Sequence, residues 1–358
     1  MRLSMEHYLK PVLPFTPAAL LSPQALEPIL GLARRLPPCS SSGFELRLGD
    51  EAPVADFLVN ILTDDGSRAT FAGRHPDIQP PATFLQSPVW HRVRDFCRHW
   101  SEPEEPLYQR VRDLWLEFDL EQLGAGIPIP GVFFGPRWES AELLGTVERC
   151  VFLLRGPEFT RLPPALSRCL ELLPGRHRLE QVGMMFSRHS EDLRLCLRDI
   201  PPRELSGYLR RAGWSGRPEE LDAIVEDLLP FVDDITLDID VGEGVRPKIG
   251  LECILDRNPS KARWQAWLEH LVEQKLCTPG KRDGLLDWMG LTTQRDQPEC
   301  WPENLVQFSQ RTPGMLSAFA RKVNHLKLVH QPGQPLQVKA YLAVRHLWFR
   351  VPPSPPTE

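Results

Sequence analysis

Tyrosine is scarce in this 358-residue chain: there are four, against 10 tryptophans and 16 phenylalanines. Tyr8 precedes the first expected helix, Tyr108 and Tyr208 fall in expected helices, and only Tyr341 falls on an expected strand. A site walled by several phenol rings is therefore excluded. The eight cysteines (Cys39, Cys97, Cys150, Cys169, Cys196, Cys253, Cys277 and Cys300) form no Cys-x-x-Cys pair and no cluster with histidine. That pattern excludes a structural zinc site and leads us to expect buried thiols in a reducing cytoplasm. Pro11, Pro14 and Pro17 interrupt the apolar stretch around Leu13 to Leu21, so neither a signal peptide nor a membrane span is expected. A net charge of -5 lacks the basic excess that nucleic acid or an acidic membrane would call for. Walker-type and dinucleotide-binding glycine loops, the His-Glu-x-x-His metal motif and the Gly-x-Ser-x-Gly nucleophile elbow are all missing.

What is present is a large folded chain, 42% hydrophobic and 25% charged. Its 37 prolines are dispersed, and only Pro352 to Glu358 reads as a disordered tail. The expectation is one domain over residues 1–350, followed by a tail at 351–358.

Short runs alternating apolar with charged or polar residues recur in pairs along the chain. The clearest are Phe44–Leu48, Leu114–Leu120, Leu193–Arg198 and Val338–Leu342. A strand sends successive side chains to opposite faces, so each run has one greasy and one ionic face. Five hairpins are predicted: Phe44–Leu48 with Asp56–Leu62, Leu114–Leu120 with Gly131–Phe134, Gln181–Arg188 with Leu193–Ile200, Ile235–Val241 with Lys248–Leu255, and Asn324–His330 with Leu336–Val344. Helices are predicted between them, near Ser22–Arg35, Pro88–Trp100, Glu105–Asp113, Glu139–Leu154, Pro164–Leu173, Arg203–Ala212, Pro218–Leu229, Ser260–Leu276 and Leu305–Val323, with a further one opened by Thr278-Pro279. Ten antiparallel strands jacketed by helices leave exposed edges unless the sheet closes. The fold class expected is α+β, a closed ten-stranded antiparallel β-barrel of five strand-strand-helix-helix units. An open sheet with one wet face, or two α+β domains, is the competing arrangement.

Alternation would turn Glu45, Asp56, Glu117, Asp119, Asp238, Asp240 and Glu252 into the lumen as acids, with Arg47, Arg194, Arg198, Lys248, Lys327 and Lys339 as bases. Pairing the last hairpin about Gln331–Pro335 sets Lys327 opposite Lys339 and His325 opposite Tyr341. Like charges directly opposed on a sheet are destabilising unless something separates them. That something is either an anion such as phosphate or diphosphate, with Arg194 and Arg198 closing on it, or the lumen's own acids. Asp240 with Lys248 and Glu45 with Arg47 are the expected internal contacts. Asp233-Asp234 followed by Asp238 has the wrong spacing for an Asp-rich magnesium motif, so no metal is expected.

The order of elements from Leu26 to Val344 resembles the ABBA barrel of aromatic prenyltransferases, the dimethylallyltryptophan synthase type. Glu45 matches that family's first-strand acid, Arg194 the arginine of its sixth-strand Arg-x-Lys-x-Tyr, Lys248 its eighth-strand basic residue, and Tyr341 its last-strand tyrosine. Cys196 and Arg198 stand in the other two positions of the sixth-strand motif, Gly250 stands for an eighth-strand tyrosine, and Gly131-Val132-Phe133 stands for a fourth-strand Lys-x-Tyr. The strand from Asp56 to Asn60 lacks the family's arginine. The resemblance implies transfer of an isoprenoid from an allylic diphosphate to an aromatic or peptide acceptor, without a cofactor. Arg194, Arg198, Lys248, Lys327, Lys339 and Tyr341 would then hold diphosphate. Glu45 or Glu117 would take the acceptor's proton, and Trp115 with Tyr341 would face the allylic cation. The alternatives are a barrel that binds a peptide or small ligand without transferring anything, and a structural partner protein with a self-satisfied interior.

Overall fold

The computed structural model describes residues 3–119, 121, 126–137, 142–173, 178–256 and 259–350. The expectations for Leu120, Glu139 and the tail at 351–358 lie outside the described residues.

Eleven strands are present: β1 (Ser41–Arg47), β2 (Ala55–Leu62), β3 (Val111–Phe118), β4 (Gly131–Pro136), β5 (Arg178–Met184), β6 (Leu193–Arg198), β7 (Asp234–Val241), β8 (Val245–Ile254), β9 (Gly290–Thr293), β10 (Met315–His330) and β11 (Gln337–Arg350). Each pairs antiparallel with its neighbour from β1 to β8. β8 then pairs with β10, β10 with β11, and β11 back onto β1. Ten strands thus close into a barrel, and β9 is an added strand on the outer half of β10. The five hairpin turns all lie at one end, here called the turn end, because each hairpin runs out and back in the same sense.

The greasy faces point outward, under the helices. Phe44 and Leu46, Phe57 and Val59, Leu114, Leu116 and Phe118, and Val132 and Phe134 are all buried against side chains such as Trp90, Phe96, Trp100, Trp267 and Trp288. Removing such side chains from water stabilises by about 1.5–3 kcal/mol for each aliphatic or phenylalanine residue. Helix starts follow sequence signals. The hydroxyls of Ser22, Ser260 and Thr278 accept from Ala25, Arg263 and Lys281 backbone N–H at 3.2, 3.3 and 3.3 Å.

Some boundaries differ from expectation. β5 stops at Met184, where the chain tightens into a single turn at Phe186–Arg188 with His189 left-handed at φ 51°. The expected helix at Glu105–Asp113 shrinks to Leu107–Arg110, because Val111–Asp113 already belongs to β3. The expected helix at Leu305–Val323 runs only from Glu303 to Arg311, and β10 begins at Met315. Thr312 is already non-helical at φ -126° and ψ 79°, ahead of Pro313 and Gly314, and pairing with β11 and β9 overrides the helix-forming alanines of the segment. Among the described residues no helix is long and apolar enough to cross a membrane.

Candidate active site in the barrel lumen

The register of the last hairpin is the expected one: Lys327 faces Lys339 and His325 faces Tyr341. β1 adds Arg47 beside Lys339 and Glu45 beside Tyr341. A row of three cations therefore runs across β1, β11 and β10, next to a row of an acid and two rings.

The two lysines separate by reaching in opposite directions. Lys339 Nζ donates to Glu45 Oε1 on β1, and Tyr341 OH donates to Glu45 Oε2. Lys327 crosses β8 to Asp238 on β7, with Glu252 Oε1 3.6 Å from its ammonium. Gly250 makes this crossing possible: a Cβ there would lie 2.6 Å from Lys327 Cε and 3.1 Å from Asp238 Cβ. Arg194 holds Asp240 in a two-pronged pair at 2.8 and 2.9 Å. Arg188 holds Asp119 at 2.6 and 3.2 Å, and Ser187 Oγ donates to the same carboxylate at 2.9 Å. The expected contacts of Asp240 with Lys248 and of Glu45 with Arg47 are thus replaced by pairings with the neighbouring strand: Arg194 lies directly opposite Asp240, and Lys339 reaches Glu45 diagonally from β11.

Burial would raise Glu45, but Lys339 and Tyr341 hold its carboxyl at about 2. Glu117 has no such partner. Burial, and then the neighbouring Glu45 charge, push it up to about 8, so it keeps its proton at neutral pH. Burial followed by Glu252 raises Asp238 to about 6. Burial and then Lys327 lower His325 to about 3, so its ring is neutral where it stacks on Tyr341, with centroids 4.3 Å apart. Lys248 is exposed at the rim and is the cavity-lining cation that has no carboxylate at ion-pair distance among the described residues. Partial burial, Arg194 and Lys339 all lower its pKa.

Most of the expected site residues converge. Glu45, Glu117, Arg194, Lys248, Lys327, Lys339 and Tyr341 line one cavity just inside the turn end, together with Arg188, Asp238, Asp240 and Gly250. Its free volume is about 30 Å³, room for water and too little for a diphosphate. Arg198 is placed elsewhere. It lies at the far end of β6 and pairs with Asp234 at 2.9 Å, because four residues along a strand carry it about 13 Å from Arg194. Trp115 is half-buried on the lumenal side of β3, between Asn60 and Phe133 in register, and does not line the cavity. Arg188 escaped the sequence reading because it was assigned to the end of a strand, whereas the turn at Phe186–Arg188 swings it inward. Phe133 fills lumen where its ring lies on Gly183, a position at which a Cβ would come within 2.2 Å of that ring.

Cys196, Asp238 and Glu252 have donor atoms within 4.8 Å of one another, a spacing compatible with a metal ion. The Lys327 ammonium already lies against both carboxylates, so a cation is built into the cluster.

Comparison with solved structures gives the same architecture. The chain superposes on prenyltransferase PriB in its apo form with a TM-score of 0.53 at 14% sequence identity, covering 94% of each chain. PriB in ternary complex with L-tryptophan and dimethylallyl thiolodiphosphate gives 0.51 at 13% identity, with 94% of each chain covered. The 5-dimethylallyl tryptophan synthase of Streptomyces coelicolor, in complex with DMASPP and Trp, gives 0.50 at 15% identity, covering 96% of this chain and 95% of that one. The fold is that of the ABBA prenyltransferases. No family model matches the chain, and no curated protein matches it in sequence. In this ABBA barrel the hairpin cations gather at the turn end of the lumen.

Proposed function

We propose that the barrel transfers an isoprenyl group from an allylic diphosphate to an aromatic or peptide acceptor. The observation that carries this reading is the convergence of Arg188, Arg194, Lys248, Lys327 and Lys339, from three hairpins, on one end of an ABBA lumen. Arginine and lysine together supply the forked and point-charge donors that a diphosphate takes, so the reading needs no metal ion. Glu117 in its neutral form would donate a hydrogen bond to a phosphate oxygen, where a carboxylate would repel it. Arg198 has no part in the site.

In the reaction the donor's allylic C–O bond breaks, and its electron pair leaves with the diphosphate. The allylic cation is stabilised by the faces of Tyr341 and His325, with Trp115 deeper in the lumen. The acceptor's aromatic carbon then forms the new C–C bond, and the proton it sheds goes to the ionised Glu45, which would first have to part from Lys339 or Tyr341. Entry of the diphosphate likewise requires lumenal ion pairs to open, since the cavity is small.

A second reading is favoured by the pairing itself. Arg188, Arg194, Lys327 and Lys339 each have a carboxylate partner, which suits a barrel that binds a ligand without transferring it. Thermal shift with dimethylallyl, geranyl and farnesyl diphosphates, against inorganic pyrophosphate and buffer, tests the anion site: a saturable rise in melting temperature is expected, lost in Lys339→Ala. Pyrophosphate release in the presence of tryptophan or a tryptophan-containing peptide then separates the two. Release supports transfer, while binding without release leaves the second reading standing.

A further inference from the structure

Among the described residues, five cations line the lumenal cavity, and carboxylates hold four of them. The four pairs are not equally firm. Lys327 with Asp238, Lys339 with Glu45 and Arg194 with Asp240 join residues of paired strands, and none of these side chains is more than 24% exposed. Arg188 is 40% exposed and lies outside the ladder, on the turn between the end of β5 at Met184 and the start of β6 at Leu193. Its partner Asp119 follows the last residue of β3. An exposed ion pair holds weakly, whereas opening a buried one leaves an uncompensated charge in the interior. Arg188–Asp119 is therefore the pair that opens most readily.

Two further observations say what its opening does. Arg188 lines the cavity and Asp119 does not, so the guanidinium borders the lumen while its partner holds it from the side. Asp119 sits in the fork of that guanidinium at 2.6 and 3.2 Å, steadied by Ser187 Oγ at 2.9 Å, and a forked contact of this kind is one that a phosphate also takes. Burial, then Arg194, Lys339 and Arg188, lower the pKa of the unpaired rim cation Lys248, so these cations repel one another across the mouth. An anion seated between Arg188 and Lys248 relieves that repulsion.

We propose that Asp119 is a built-in competitor of the ligand's phosphate, which enters the lumen by taking Arg188 from it and settling between Arg188 and Lys248. Asp119 thus acts as a positioning residue: it weakens anion binding through Arg188 without lining the site. The inference rests on reading the lumen as an anion site, and it holds whether or not an isoprenyl group is then transferred.

The test is isothermal titration calorimetry of the full chain with inorganic pyrophosphate at neutral pH. Asp119→Asn is expected to bind about tenfold more tightly than the parent, Asp119→Ala at least as tightly, and Arg188→Gln about tenfold more weakly. In the Arg188→Gln background, Asp119→Asn should change affinity by less than about twofold, because the two residues act as one unit. Asp192→Asn removes an equal charge at the same end of the barrel, from a pair with Arg246 at 2.8 Å that does not line the cavity, and should likewise stay within about twofold of the parent. Nitrogen NMR of the parent's arginine Nε–H groups gives a readout that does not depend on how the Asp119 variants fold: pyrophosphate should move the Arg188 signal and leave that of Arg246 in place. A parent that binds with the Arg188 signal unmoved, or with both Asp119 variants unchanged in affinity, overturns the inference and leaves the anion site standing. An equal gain in Asp192→Asn, or in Asp119→Asn within the Arg188→Gln background, also overturns it, since net charge alone would explain the gain. No binding by the parent or by either Asp119 variant at about 1 mM pyrophosphate overturns both the inference and the anion site.

Discussion

Glu117 and Lys327 carry the opposite electrostatic problems of the lumen, one a carboxyl without a cation and the other an ammonium between two carboxylates. Folding raises the pKa of Glu117 from its ordinary 4.5 to about 8, so between those values the folded chain holds a proton that the unfolded chain releases. Stability from this group is therefore lost as pH rises through that window, at a slope of at most about 1.4 kcal/mol per pH unit. Glu117→Gln should gain on the parent steadily from about pH 5 to about pH 8, as read by urea denaturation at several pH values; a constant difference would mean that Glu117 titrates normally. Lys327→Met should cost about 3–5 kcal/mol, because it leaves Asp238 and Glu252 buried beside each other without their cation. The double variant Lys327→Met with Asp238→Leu should recover much of that loss, and equal losses in the single and double variants would show that the pair is not the cause. The facing of Lys327 and Lys339 was legible in the sequence, since strand alternation and turn length fix it. Where their ammonium groups go was not. Lys327 reaches Asp238 only because Gly250 clears its path over β8, and that is a contact between residues far apart in sequence.

At the scale of elements, the five hairpins were legible because each strand carries its own alternation and its own turn. The helix expected over Leu305–Val323 shows the limit of that signal. Its second half alternates as well as it repeats, and only pairing to β11 and β9 decides in favour of a strand. The four-residue β9 has too few residues to carry any period and was not foreseen. Helix-to-hairpin contacts were equally hidden. Lys281, on the helix Pro279–Trp288, is 1% exposed and donates to Arg47 O, to Ala52 O at 2.9 Å and to Asp50 Oδ1 at 3.1 Å, pinning the turn between β1 and β2. Lys281→Met keeps the stem but strands two carbonyls, so a loss of about 1–3 kcal/mol is expected. Faster proteolysis at residues 48–54 should accompany it; unchanged proteolysis there would mean that the turn is held by its own backbone.

The whole molecule depends on one seam, the pairing of β1 with β11 that turns a ten-stranded sheet into a barrel. Without it, the acid of β1 and the tyrosine and lysine of β11 would lie at opposite edges of an open sheet, and the Glu45–Lys339–Tyr341 cluster could not form. Gly43 is the tightest point of that seam, since a Cβ there would come within 2.3 Å of the Leu342 carbonyl oxygen. That oxygen belongs to the backbone and cannot swing aside, so any side chain must push the two strands apart. Gly43→Ala should therefore destabilise by about 1–3 kcal/mol or more. The strain falls on one pairing of ten, so opening should be local, with amide exchange accelerated in Gly43–Arg47 and Tyr341–Arg345 well before β5 and β6. The same variant should weaken binding of any anion that needs Lys339 and Glu45 held together, whereas Gly213→Ala, a left-handed position on the outer surface far from the seam, should lose stability without that effect. Uniform acceleration of exchange around the ring would instead mean that the barrel opens as one cooperative unit, and that the lumen cannot breathe at the seam to admit a ligand.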